Sequence, residues 1–180
     1  SVTMAITRKR KYGDFWELKG KLGKGLCALA EKSYTDALTE FETTISEAKR
    51  HKRGFEEILM GAQVAKGETY TAKKDYTQAI QFYEELASRG KGQSAQATGG
   101  AYVNLAKAYQ ARDKDDDKRK ALRTYMQVTI YYAGAPEAYA EALYQTARLL
   151  EDEGKRDQAK AYDRELKKRC PDSSWAKKAR

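Results

Sequence analysis

One short pattern returns along this chain at an interval of 42 residues. Residues 34–41 read YTDALTEF, residues 76–83 read YTQAIQFY, and residues 118–125 read KRKALRTY. Internal repetition constrains architecture ahead of any local reading, because a small recurring unit cannot bury its apolar face alone and must stack on its neighbours. On this step Gly25 shares a column with Gly67, and Ala37 with Ala79 and Ala121. Four residues past each alanine comes a ring: Phe41, Tyr83 and Tyr125.

Within each copy the apolar residues fall three and four apart, which is helical spacing. Ala79, Phe82, Tyr83 and Leu86 share one face, with Gln78, Gln81, Glu84 and Glu85 largely opposite. A second helical pattern, from Phe55 to about Lys73, precedes them, so each copy is a helical hairpin turning at Lys73-Lys74-Asp75. Two antiparallel helices approach closely only where side chains are small, so the Gly and Ala columns mark helix crossings. The ring one turn later fills the space beside the crossing; its full burial is worth about 1.5–3 kcal/mol. The composition, rich in Ala, Lys, Glu, Leu and Gln with two prolines, favours helix nearly everywhere. The spacing predicts helices at about 14–31, 34–52, 55–73, 76–89, 96–112, 116–133, 136–153 and 156–169. Pro136 suits a first helical turn and pushes Ala135 away from helix. The stretch from Gly90-Lys-Gly92 to Gly99-Gly100 reads as the loosest loop.

These residues resemble the tetratricopeptide repeat. Gly25…Tyr34-Thr-Asp-Ala37-Leu-Thr-Glu-Phe41 and Gly67-Glu-Thr-Tyr70…Tyr76-Thr-Gln-Ala79-Ile-Gln-Phe-Tyr83 carry the first two copies. Tyr102-Val-Asn-Leu105-Ala106-Lys-Ala-Tyr109 with Ala121-Leu-Arg-Thr-Tyr125 carries the third, and Leu143-Tyr-Gln-Thr-Ala147 with Gly154-Lys-Arg-Asp-Gln-Ala159-Lys-Ala-Tyr162 the fourth. The resemblance implies an all-α, tetratricopeptide-like α-solenoid of about four hairpins plus a C-terminal capping helix. A basic segment at 1–13 would precede repeats at about 14–53, 54–92, 95–133 and 135–170, with the cap at 171–180. The chain departs from the family in its 42-residue step, against the usual 34. Lys118 stands in the Tyr34/Tyr76 column, and Asp163 takes the ring position of copy four. Ser173 or Ser174 would cap the last helix, and Trp175 would cover the end of the last hairpin. The Pro171-Asp-Ser-Ser-Trp-Ala ending is similar to repeats in bacterial cell-envelope proteins of this type, which places periplasm or envelope ahead of cytoplasm as the expected compartment.

The formal charge of +9 sits at the ends: residues 1–24 and 164–180 each carry +5, leaving −1 for the 139 residues between. A reader of nucleic acid usually shows a basic stripe across its folded face. The alternative role, a module using its basic termini on nucleic acid or an anionic surface, is therefore kept behind protein binding, with nucleic acid not favoured. No apolar run is long enough to span a bilayer. The start, SVTMAITRKRKYGDFW, lacks the apolar region of a signal peptide and begins with Ser rather than Met, as a mature product or excised piece would. Cys27 and Cys170 stand far apart without metal-ligand spacing and are expected to be buried thiols.

No reaction is read from the sequence, and no cofactor or metal. His51, at a helix end, has no nucleophile beside it. Asp113-Lys-Asp115-Asp-Asp117 opens like a calcium loop, but Lys118 and Thr124 stand where that loop needs Gly and Glu; the stretch reads as a solvated turn with a helix-capping Asp. Gly20-Lys-Leu-Gly23-Lys-Gly25 lacks the Gly-Lys-Ser/Thr of a phosphate loop. The aromatic and basic residues from Arg8 to Trp16 could stack on single-stranded nucleic acid, but Trp16 aligns with Ile58, a core column, so its ring is expected to be structural.

The expected function is a non-catalytic scaffold for a protein or peptide partner, with self-association as a further option. In the resembled family the first helix of each hairpin lines the concave face. Its positions carried onto this chain are Glu68 in copy two, Asn104 and Lys107 in copy three, and Tyr144, Gln145 and Arg148 in copy four. Asn104/Lys107 and Gln145/Arg148 are each three apart and share a helical face, so neighbouring first helices would bring both pairs to one trough. Copy one shows Leu22 and Leu26 where the family's peptide clamp needs polar groups, which argues against capture of chaperone tails.

Overall fold

The structure, a computed structural model, describes residues 2–51, 53–90, 94–114 and 116–179, with side chains given at all of these except 2–11 and 90. Among the described residues every regular element is a helix: α1 (Val2–Ala30), α2 (Tyr34–Ala48), α3 (Glu56–Ala72), α4 (Tyr76–Gly90), α5 (Ala95–Arg112), α6 (Asp117–Tyr131), α7 (Pro136–Asp152), α8 (Arg156–Arg169) and α9 (Ser174–Lys178). The chain divides into two compact units, Ser1–Lys73 and Lys74–Arg180. The described residues are all-α, as in a helical repeat.

In the first unit α1 packs along α2, and α3 packs on both. The glycine column explains how close α1 and α2 come. A Cβ at Gly25 would lie 2.5 Å from Phe41 Cε1 and 2.8 Å from Cδ1, so the ring occupies the space a side chain would need. Ala37, Phe41 and Ala65 form one cluster with Leu22, Ala28 and Leu29, while Leu18, Ala48, Phe55 and Ile58 form another with Phe15, Leu22 and Leu59. The α1–α2 turn closes with Lys32 left-handed at φ 62, its N–H donating to Leu29 O and that of Ser33 to Ala28 O. This is the helix-ending arrangement usually given to glycine. The α7–α8 turn repeats it with Gly154 at φ 77.

In the second unit α4 packs on α5, α5 on α6, α6 on α7 and α7 on α8, while α5 also lies directly against α7. Ala79, Ala121 and Ala159 are buried, as are Tyr83 and Tyr125. Gly99 serves a second close approach, since a Cβ there would meet the Cβ of Ala135 at 3.1 Å. Pro136 opens α7 after a non-helical Ala135, as expected. Ser173 caps α9, its Oγ accepting from Ala176 N–H at 3.0 Å, and Trp175 packs on the cluster of Tyr139, Ala140, Leu143 and Leu166. The cap is five residues long, shorter than 171–180.

Several expectations are corrected. α1 begins at Val2 rather than 14, so the basic stretch forms its early turns. α2 ends at Ala48 rather than 52, giving way to a turn in which His51 stacks on Phe55 with centroids 3.9 Å apart. Trp16 is 63% exposed, not core, and Cys27 is exposed while Cys170 is half-buried. Asp117, expected in a solvated turn, is 1% exposed and bound by Arg112 through two 2.7 Å hydrogen bonds. Asp115 and residues 91–93, the latter expected in a loop, lie outside the described residues.

Candidate protein-binding face

The first helices of copies three and four, α5 and α7, lie side by side in the second unit. Their apolar columns are committed inward: Leu105, Ala106 and Tyr109 on α5, and Leu143, Ala147 and Leu150 on α7, are buried. An ion pair also joins the two helices. Lys107 Nζ on α5 pairs with Glu141 Oε1 on α7 at 2.8 Å, with the lysine side chain 45% exposed and the glutamate 14%. Asn104, one turn before Lys107, and Gln145, one turn after Glu141, are half-buried and stay outside that ion pair.

The other copy-four candidates turn toward the end of the unit. Tyr144 lies under Trp175 with ring centroids 5.2 Å apart, and the Arg148 guanidinium stands 5.4 Å from the Tyr144 centroid. Arg148 Nη1 donates to Glu151 Oε2 at 2.6 Å, and Nη2 donates to Asp163 Oδ2 on α8. Asp163 is the acid at the ring position of copy four, and it is 9% exposed. A carboxylate tolerates that burial only with a cation beside it, so Arg148 explains the departure from an aromatic ring there. Glu68 is exposed on α3 and belongs to the first unit.

Hydrogen bonds from the rings brace this face from behind. Tyr109 donates to Glu84 Oε1 at 2.8 Å; burial, then this bond, pushes its hydroxyl up to about 12. Tyr125 donates to Gln110 Oε1 at 2.7 Å, and burial raises its hydroxyl far above the ordinary value. Both phenols stay neutral donors, and each ties a second helix to α5. Sequence reasoning missed Glu141 and Asp163 as members of the network. Glu141 was findable, standing four residues before Gln145 and so on its helical face; nothing local marked Asp163 as the partner of Arg148.

Two models of the tetratricopeptide repeat family match the chain, over residues 61–89 and 141–173. The second match spans α7 and α8, the hairpin that carries the Ala147 and Ala159 crossing. The chain contains tetratricopeptide repeats. No curated protein matches it. The ring and alanine columns are buried, which leaves the polar residues of the first helices as candidates for binding. Here those residues offer two amides flanking an ammonium–carboxylate pair, a set that can meet a peptide backbone and exchange charge with a partner. No described helix is long and apolar enough to cross a membrane.

Proposed function

We propose that this tetratricopeptide repeat protein is a non-catalytic scaffold that holds a protein or peptide partner on the α5–α7 face. The observation supporting this reading is the Lys107–Glu141 pair, which joins two neighbouring first helices and leaves Asn104 and Gln145 on either side of it. The ammonium is partly open to water and can exchange Glu141 for a partner's carboxylate, while the two amides hydrogen-bond extended backbone. Tyr144 and Arg148 support the face by holding Trp175 and Asp163, and Glu68 is a separate candidate contact on the first unit.

The test compares partners recovered by wild type and by the triple variant Asn104→Ala, Lys107→Ala, Gln145→Ala, both checked for folding by circular dichroism. Arg148 is left intact, since removing it strands Asp163 in the interior. The variant is expected to lose the partner; recovery of the same partner in equal yield rejects this face.

A further inference from the structure

Four cations of α8 stand at successive fourth positions: Arg156, Lys160, Arg164 and Lys168. All four are exposed, and none pairs with an acid among the described residues. Like charges four apart on a helix oppose it, and acids at that spacing would support it. Arg156 also stands in the first turn, where the helix dipole disfavours a cation. The acids of α8 do not relieve the row. Glu165 is taken by Arg169 at 2.9 Å and Asp163 by Arg148, while Asp157 is exposed beside the row. Lys167 joins the same side by helical register. An open depression of about 480 Å³ lies here, lined by Lys160, Arg164 and Lys167 together with Asp157 and Asp163. At 1.5 Å per residue the row spans about 18 Å. Part of the C-terminal basic excess is thus laid out as a line on a folded helix.

We propose that this row of α8 binds the phosphate backbone of double-stranded DNA without reading its sequence, independently of the α5–α7 face. The duplex carries closely and regularly spaced negative charge, and cations alone hold it by releasing its counterions. Arg adds paired hydrogen bonds to a phosphate. Other occupants need something this side lacks. Ala159 and Leu166 of α8 are buried inward, and the large apolar side chains left exposed among the described residues lie on α1 and α6. A protein interface draws its affinity from apolar and aromatic anchors, and single strands are held by stacked rings. A helix lying in a membrane surface inserts an apolar face. A line of cations with acids at its sides also matches a linear polyanion better than a plane of headgroups.

The experiment titrates the full chain into a labelled DNA duplex of about 20 base pairs at several salt concentrations, read by fluorescence anisotropy. Four phosphate contacts predict that log K falls with log salt at a slope of about −3 to −4. Arg156→Gln, Lys160→Gln and Arg164→Gln together are expected to weaken binding about tenfold or more near 0.1 M salt and to flatten the slope by about 3. Circular dichroism is expected to show this variant as helical as wild type, since it removes like-charge pairs. Lys24→Gln, Lys49→Gln and Lys73→Gln remove the same charge from exposed positions elsewhere, and are expected to leave duplex affinity within about twofold. No duplex binding at low salt overturns the proposal. So does equal weakening by the two triple variants, or tighter binding of single strands or of phosphatidylglycerol vesicles through the same row.

Discussion

Gly25→Ala and Gly20→Ala make the same chemical change in the same helix and should move stability in opposite directions. Ala is better than Gly in a helix interior by roughly 1 kcal/mol. At Gly20 a new Cβ meets open space, so that gain should appear nearly whole. At Gly25 the Cβ would sit 2.5 Å from Phe41 Cε1, against about 3.5–4.0 Å for an unstrained carbon pair. Relief needs a shift of about an ångström, and Phe41 is fully buried with no free volume to enter. Overpacking of this kind costs about 1–3 kcal/mol; the severity of the clash argues for the upper end, leaving a net loss of about 2 kcal/mol after the helix gain. Urea melts followed by circular dichroism would read both, with the midpoint falling for Gly25→Ala and rising for Gly20→Ala. Equal stabilisation by the two would refute the reasoning that the glycine column marks a helix crossing.

Asp117→Asn tests the turn between α5 and α6. The Arg112 guanidinium, with help from the Lys114 backbone N–H, holds the Asp117 carboxyl at about 2 against an ordinary 3.8. A lowered folded value contributes stability that is full above the ordinary value and lost as pH falls through about 2. The shift corresponds to about 2 kcal/mol; the gap between wild type and variant should close between about pH 4 and pH 2 in acid melts. Lys32→Gly removes a left-handed lysine and should stabilise by about 0.5–1 kcal/mol in thermal or urea melts. Glu141→Gln leaves the Lys107 ammonium without its acid, so calorimetry should show an acidic peptide that occupies the α5–α7 face binding several-fold tighter, and no change for a neutral one.

The helices were legible in the sequence because the small-residue and ring columns fix their register: α3 to α8 begin and end within about two residues of the positions the spacing predicts. What was not legible depends on which neighbours a helix has. Ile58 is buried in a cluster with Leu18 of α1; the equivalent neighbour of Trp16 would be a helix ahead of α1, and none is described. The same column is therefore core in one copy and surface in the other. Nothing local announced the extension of α1 back to Val2, where the β-branched Val2, Thr3, Ile6 and Thr7 are weak helix formers. At the candidate face Asn104, Lys107, Gln145 and Arg148 were expected from the resemblance to the family, and the spacing added only that each pair shares a helical face. The sequence could not foresee that Arg148 would be tied to Asp163, since that pairing spans two helices and appears only when α7 and α8 pack.

Site-specific photo-crosslinking tests the binding account most directly. A photoreactive residue at the position of Asn104 or of Gln145 is compared with one at Lys160, on the exposed side of α8, in the presence of a partner recovered by wild type. The account predicts crosslinks from the first two positions and none above background from the third. Crosslinks from Lys160 alone, or equally from all three, would contradict it.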